Sequence, residues 1–266
     1  FLIDCEICGS SDHEIFQEQV DLGKGRFGRL PVVCCCDCGF LYQNPKFESS
    51  FYVDYYSREY HNIVCGSKDP APEFVDDQVR RGEFLYDYVA DYFESSGSDL
   101  NVLDVGCSCG GLMDNFIRQG WKGYGTDPDE GYVEYGKTRG WPVECLPSEQ
   151  MQLVESTYDL VIIMGSLEHC QDPNLLVELC YRACKPGGMF LIEARGKPQK
   201  EKKVYFNHNH HRYFTLETGE LMGLKHGFTP VLSTDFDVCG PTRPGTIFNF
   251  FVKNPESVFG SPAKLK

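Results

Sequence analysis

The sequence predicts an α/β protein: a doubly wound, mostly parallel sheet preceded by a small cysteine-rich unit. Three observations carry that prediction. Strand-like and helix-like segments alternate throughout residues 101–235, the pattern that lays parallel strands side by side under crossover helices. The run Asn101-Val102-Leu103-Asp104-Val105 ends abruptly in Gly106 and, after three small residues, gives way to Gly110, Gly111 and a helical pattern from Leu112. Two C-x-x-C-G knuckles, Cys5-Glu6-Ile7-Cys8-Gly9 and Cys35-Cys36-Asp37-Cys38-Gly39, stand at the head of the chain.

Bulk properties fit a globular enzyme-sized protein. The 266 residues are 41% hydrophobic and 24% charged, enough for one sizeable domain and a satellite. A formal net charge of −14 argues against a general binder of nucleic acid or anionic membrane, whose affinity rests on a basic surface. The longest apolar run, Leu160–Gly165, is far short of the ~20 residues that span a bilayer. With no signal-peptide pattern, a cytoplasmic location is expected.

Residues 1–48 read as a zinc-ribbon-like domain. Six of the 14 cysteines fall before residue 40, whereas the others lie mostly in apolar segments, where a thiol behaves as a small hydrophobe. Paired knuckles present four thiolates in a tetrahedral array, and the trailing glycine of each permits the tight turn that aims backbone N–H groups at sulfur. Cys5, Cys8, Cys35 and Cys38 are the expected ligands of a structural zinc, with Cys34 or Cys36 the open alternatives to Cys35. Four cysteine ligands leave no position for substrate.

Residues 49–98 combine an aromatic linker or lid, with Tyr52, Tyr55, Tyr56 and Tyr60 close together, and a helix from Pro72 to a Ser95-Ser96-Gly97 stop. The sheet domain is expected over residues 99–253, with a tail at 254–266. After the glycine loop the expected elements are helix Leu112–Gln119, strand Gly123–Thr126 ending at Asp127, helix Glu130–Arg139, strand Pro142–Cys145, and a helix start at Pro147. Tyr158–Met164 is apolar almost throughout, as a buried parallel strand should be. Helix Pro173–Cys184, a turn at Lys185–Gly188 and strand Met189–Glu193 come next. A long loop over residues 196–213, crowded with Lys and His, leads to helix Leu216–Lys225, strand Thr229–Asp235 and a last strand, Thr246–Val252.

Four ordered elements resemble the class I S-adenosylmethionine-dependent methyltransferases. Leu103–Gly110 looks like their D/E-x-G-x-G-x-G loop, with Ser108 at the middle glycine. Asp127, 23 residues after Asp104, matches the acid on the second strand. Leu167-Glu168-His169 with Asp172-Pro173 resembles their signature after strand four, and Cys184-Lys185-Pro186-Gly187-Gly188 the turn before strand five. The resemblance implies a Rossmann-like seven-stranded sheet whose last strand is antiparallel. It also implies a cofactor, S-adenosyl-L-methionine. The methionine end would lie over Asp104, Gly106, Cys107, Ser108 and Gly110, with Met164 and Gly165 alongside. Ribose hydroxyls would sit on Asp127, unless that residue or Asp129 serves as a helix N-cap. Adenine would pack near Pro128, Leu146 and Ser148.

A narrower resemblance spans the chain. Sugar C-methyltransferases acting on nucleotide-linked ketosugars carry a similar cysteine domain and an E-H-x-x-Y-[FY]-[ST] motif after strand five. Here Asn209-His210-His211-Arg212-Tyr213-Phe214-Thr215 stands in that place, with Asn209 where the motif has Glu. Methyl transfer needs a base for the acceptor's proton, and His suits that at neutral pH. His210, then His169, are the candidates, with Glu168 as an orienting acid. His208, His210 and His211 form an alternative metal cluster. Lys197, Lys200, Lys202, Lys203 and Arg212 make the loop basic, which suits a phosphorylated acceptor. The expected substrate is a small molecule, a sugar or nucleotide-linked sugar methylated at carbon or oxygen, handled by a monomer or homodimer. Methylation of a protein or RNA docked on the ribbon, and a non-catalytic binding role, are the alternatives.

Overall fold

The computed structural model describes residues 1–22, 26–55, 67, 69–93, 99–152, 154–195 and 206–254. Tyr56, Tyr60, the Ser95–Gly97 stop, Lys197, Lys200, Lys202, Lys203 and the tail beyond Asn254 lie outside the described residues.

The chain forms two sheets. The larger has seven strands: β4 (Asn101–Val105), β5 (Lys122–Asp127), β6 (Val143–Cys145), β7 (Tyr158–Met164), β8 (Cys184–Arg195), β10 (Thr229–Thr234) and β11 (Thr246–Val252), in the order β10-β11-β8-β7-β4-β5-β6. The contacts of β4 with β5 and β7, of β5 with β6 and of β7 with β8 are parallel. β11 runs antiparallel to both β8 and β10, as expected for the last strand. Successive residues of one strand feed opposite layers. Val102 joins the hydrophobic layer under helix α2 (Pro72–Phe93), while Leu103 and Val105 join the layer under α5 (Pro173–Ala183) and α6 (Leu216–Lys225). That two-sided burial is why the central strands read as continuous apolar runs.

Local chemistry sets the helix ends. Asp129 is the N-cap of α4 (Glu130–Thr138), accepting from the Tyr132 N–H. Asp172 caps α5, ahead of Pro173 at its first turn. Thr215 and Thr218 form a reciprocal capping box on α6. After the glycine loop, the expected helix divides into a 3₁₀ turn, Gly111–Met113, and α3 (Asp114–Arg118). The expected Pro147 helix is likewise one 3₁₀ turn, Ser148–Gln150. The expected Lys185–Gly188 turn lies inside β8: Tyr158 pairs with Cys184 and Leu160 with Met189, so the intervening residues bulge out of register.

The smaller sheet orders β1 (His13–Asp21), β2 (Phe27–Cys35), β3 (Leu41–Gln43) and β9 (Arg212–Tyr213). Its fourth strand comes from the end of the histidine-rich segment, where Leu41 pairs with Tyr213 and Tyr42 with Arg212. The cysteine-rich unit is therefore strand-paired to the segment that runs between β8 and α6. The short helix α1 (Ser49–Asp54) follows β3 and brings Tyr52 against His211, ring centroids 4.2 Å apart. Among the described residues, no helix is long and apolar enough to cross a membrane.

Candidate active site

A cavity of about 600 Å³ opens beyond the carboxyl ends of β4, β5, β7 and β8, where an α/β sheet reverses its winding. Gly106 ends β4 at φ +73°, and a Cβ there would come within 2.5 Å of Ser166. Only glycine lets the two strand ends close on each other at this point. Ser108 also takes a left-handed φ of +56°, which costs a residue with a Cβ roughly 1–2 kcal/mol. Its N–H donates to Asp127 Oδ2 at 2.8 Å, a charge-assisted bond of about 1.5–3 kcal/mol that offsets the strain.

Most of the expected cofactor residues line this cavity. Asp104, Gly106, Cys107 and Ser108 form one wall, Asp127, Pro128, Leu146 and Ser148 a second, and Met164 with Gly165 a third. Gly110 does not reach it: it precedes the 3₁₀ turn at φ +87°, and a Cβ would meet Val143 at 2.6 Å, so it closes the loop against β6. Asp127 is not a helix cap. Its Oδ1 accepts from the Asp129 N–H at 2.9 Å and its Oδ2 from Ser108, which aims the carboxylate between the two loops. Asp104 is 2% exposed, and its Oδ1 has no hydrogen-bond partner among the described residues. Burial, then the Asp127 and Glu193 carboxylates, push its pKa up to about 8. A buried acid left in that state suits a cationic ligand group. The Ser108 hydroxyl also has no partner among the described residues. These orphaned donors and acceptors, with an apolar slot at Pro128 and Leu146, fit the amino-acid, ribose and adenine parts of S-adenosylmethionine.

The structure brings Glu168, His169 and His210 together, each offering a donor atom within 4.8 Å of the others. Glu168 is buried and its Oε2 has no partner among the described residues. Burial raises its pKa to about 7, against the opposing pull of backbone N–H groups and Arg195. The two rings, centroids 4.8 Å apart, are held in opposite tautomers by their partners. His169 Nδ1 lies 2.8 Å from the Asn209 carbonyl and so donates to it, leaving the ring's lone pair on Nε2. Asn207 Oδ1 accepts from the N–H groups of Asn209 and His210, both at 3.0 Å. Its amide nitrogen therefore faces His210 Nδ1, at 3.2 Å, and the neutral His210 ring carries its proton on Nε2. Burial, with His169, Arg195 and His208, holds His210 well below the usual histidine pKa. The hydrogen bonds thus leave a lone pair on Nε2 of one ring and a proton on Nε2 of the other.

His208 and His211 do not join this group. His208 Nε2 contacts the Tyr55 hydroxyl at 3.2 Å, and His211 is buried beneath Tyr52. Arg212 is not a loop cation open to an acceptor, as its charge had suggested. It is 0% exposed, paired with Glu6 through two bonds of 2.6 Å, and it donates to the carbonyls of Cys170 (2.6 Å) and Gln171 (3.2 Å). Glu6 lies inside the first cysteine knuckle and also accepts from Lys46 at 3.0 Å. The sequence spacing carried no sign that these two charges meet.

Cys5, Cys8, Cys35 and Cys38 converge, with all four sulfurs within 4.8 Å of one another and Cys5–Cys38 and Cys8–Cys35 at 3.5 Å. A tetrahedral site with metal–sulfur bonds of ~2.3 Å sets sulfurs a little under 4 Å apart, so this cluster fits zinc. Cys34 and Cys36 stand outside it. Gly9 and Gly39, at φ +78° and +74°, make the knuckle turns.

Several cavity residues gave no motif. Tyr52, Gln78, Glu193, Arg195, Arg243 and Thr246 all line it. Tyr52 left a trace in the aromatic linker or lid, and Glu193 as an acid at the end of an apolar strand. Glu193 pairs with Arg81 in a buried ion pair.

Comparison with known proteins agrees with this geometry. Residues 103–192 match the profile of a family described as a methyltransferase domain. A ubiquinone biosynthesis O-methyltransferase from Rhizobium rhizogenes is 30% identical over 107 residues, covering 38% of this chain and 43% of that protein. The chain thus spans less than half the length of such relatives. Among solved structures, phosphoethanolamine N-methyltransferase 2 from Haemonchus contortus, in complex with S-adenosyl-L-methionine, superposes with a TM-score of 0.55 at 15% identity, covering 80% of this chain and 61% of that one. Geranyl diphosphate C-methyltransferase from Streptomyces coelicolor gives 0.51 at 14% identity, over 65% and 75%. The larger sheet has the class I S-adenosylmethionine-dependent methyltransferase fold.

Proposed function

We propose that this chain, with its methyltransferase domain, is an S-adenosylmethionine-dependent methyltransferase that methylates an oxygen of a small hydroxyl-bearing acceptor. The convergence of Glu168, His169 and His210 on the cavity lined by Asp104, Gly106 and Asp127 carries this reading. S-adenosylmethionine, when bound, supplies an electrophilic methyl group on a sulfonium. The chain's own residues do the rest. Asp127 would hold the ribose hydroxyls, Pro128 and Leu146 the adenine, and Asp104 the ammonium end.

His169 Nε2 takes the acceptor's proton, its Nδ1–H fixed on the Asn209 carbonyl. His210 donates from Nε2 to the accepting oxygen, and the Glu168 carboxylate balances the imidazolium that forms. Proximity in a shielded cavity supplies much of the remaining acceleration. The four clustered thiols would hold a structural zinc, which takes no part in the transfer.

Oxygen is favoured as the methylated atom because the similar curated proteins are named as O-methyltransferases. The motif position where sugar C-methyltransferases carry a Glu is Asn209, whose side chain is engaged by the Tyr55 hydroxyl, so a carboxylate base is missing there. The cysteine unit and the surrounding His-x-x-Tyr-Phe-Thr order support a sugar or nucleotide-linked sugar as acceptor. Labelled-methyl transfer across free sugars, nucleotide-linked sugars and phenols tests this. Label on a sugar oxygen is the expected result. Transfer to phenols alone contradicts the sugar assignment, and transfer to none, by protein that binds the cofactor, contradicts the small-molecule reading.

A further inference from the structure

Resting on that reading of the cavity, we propose that Arg195 and Arg243 form an oxyanion receptor on its acceptor side. The receptor takes a carboxylate or phosphoryl group that lies close to the methylated atom of the acceptor.

Arg243 stands on the loop before β11, where its carbonyl accepts from the Thr246 hydroxyl at 3.0 Å. Its Nη1 passes over Gly165, and a Cβ built on that glycine would be 3.2 Å away. Gly165 has φ +71° and leaves the guanidinium room at the end of β7. The residue is partly buried and lines the cavity, yet its guanidinium has no hydrogen-bond or ion-pair partner among the described residues. Burial, then the neighbouring Arg81, depress its pKa; Glu193 and Asp77 oppose them, and Arg195 adds to the depression. Glu193 offsets this charge only in part: one oxygen of that carboxylate is bonded to Arg81, and the other makes no hydrogen bond among the described residues, to Arg243 included.

Arg195 ends β8, two residues beyond Glu193, and lines the same cavity. Its guanidinium too has no partner among the described residues. Its charge bears on Glu168 and on His210, which places it beside the acid–base group. Two guanidiniums that repel each other and remain unpaired in a partly enclosed site are costly without an anion. A carboxylate or phosphoryl oxygen pair matches their planar donor forks. In a chain of net charge −14, such a pair is not part of a general positive field.

The methionine carboxylate of the cofactor is the other possible source of an oxyanion. Gln78 offers that group a separate donor at the cavity wall. Gln78 Nε2 is buried without a partner among the described residues, and its Cβ lies 3.1 Å from where a Cβ on Gly111 would stand, beside the glycine loop. Arg195 bears on Glu168 and His210, and Arg243 bears on Arg195 and on Arg81 and Asp77 of α2.

Calorimetry with inorganic phosphate and with acetate, on protein alone and on protein saturated with S-adenosylhomocysteine, tests the receptor. At least one anion is expected to bind in both states, at least tenfold more weakly in Arg243→Gln, with partial recovery in Arg243→Lys. S-adenosylhomocysteine affinity should stay within twofold in Arg243→Gln. The exposed Arg118→Gln should change neither. Anion binding indifferent to Arg243, or no anion binding, overturns the proposal. So does a tenfold loss of S-adenosylhomocysteine affinity in Arg243→Gln, which would assign the arginine to the cofactor. Failure of the wild type to bind S-adenosylhomocysteine would instead contradict the methyltransferase reading, because the anion arm on protein alone reads the receptor independently.

Discussion

Arg212→Met is expected to destabilise the protein by about 3–5 kcal/mol, the usual consequence of stranding one partner of a buried ion pair. Arg212 is fully buried and joins three segments distant in sequence. It pairs with Glu6 in the first cysteine knuckle, donates to the Cys170 and Gln171 carbonyls after β7, and belongs to β9, directly after His210 and His211. Burial works to raise the Glu6 pKa, but Arg212 and then Lys46 outweigh it and hold the carboxyl below its usual range. Without the guanidinium, Lys46 is the remaining side-chain partner of that carboxylate among the described residues, the Cys170 carbonyl loses a donor, and the Gln171 carbonyl keeps Lys46. Urea denaturation reads the loss. The double variant Glu6→Met/Arg212→Met should recover a large share, because apolar replacement of both partners is far less costly than removal of one. Zinc content should remain one per chain, since no sulfur is touched, while kcat should fall as β9 and the adjoining His210 shift. A loss under about 1 kcal/mol would mean that the pair does not hold the ribbon to the catalytic segment.

His169→Ala should lower kcat by roughly 10²–10⁴-fold, the range for a positioned general base, equivalent to roughly 3–5 kcal/mol of barrier. His210→Ala should have a smaller effect, because its Nε2–H contributes one hydrogen bond and no proton transfer. Cofactor affinity should survive both changes. The pH profile adds an independent readout. Glu168 has a pKa of about 7, raised by burial, and must be ionised to balance the imidazolium. The rate should therefore rise with pH through about 7 and level off above it. Glu168→Gln should lower the plateau and remove that limb. Equal losses for His169→Ala and His210→Ala, or a limb that persists in Glu168→Gln, would contradict these assignments.

Much of the fold was readable because its signals are local. β7, α6 and β11 fall where the apolar runs placed them, and Gly106 marked the turn that ends β4. The site was readable where a motif crossed a strand end: Asp104, Asp127 and the Glu168-His169 pair all stand at the cavity. What escaped was non-local. β9 is two residues long, without periodicity, and exists only because Leu41 and Tyr42 offer it an edge. Arg212 looked like one more cation in a basic loop because its partner stands 206 residues earlier. Which histidine accepts and which donates depends on Asn207 and Asn209, and their hydrogen bonds form only once the loop is folded. Arg243 had no sequence signal at all; its place over Gly165 follows from the β10–β11 hairpin.

The most direct measurement is calorimetric titration of S-adenosylmethionine and S-adenosylhomocysteine into the intact protein. One site per chain is expected for both ligands. Asp127→Ala should weaken both by at least about tenfold, as loss of charge-assisted bonds worth about 1.5–3 kcal/mol requires. Absence of binding by the wild type, or binding indifferent to Asp127, would contradict the assignment of this cavity to the cofactor.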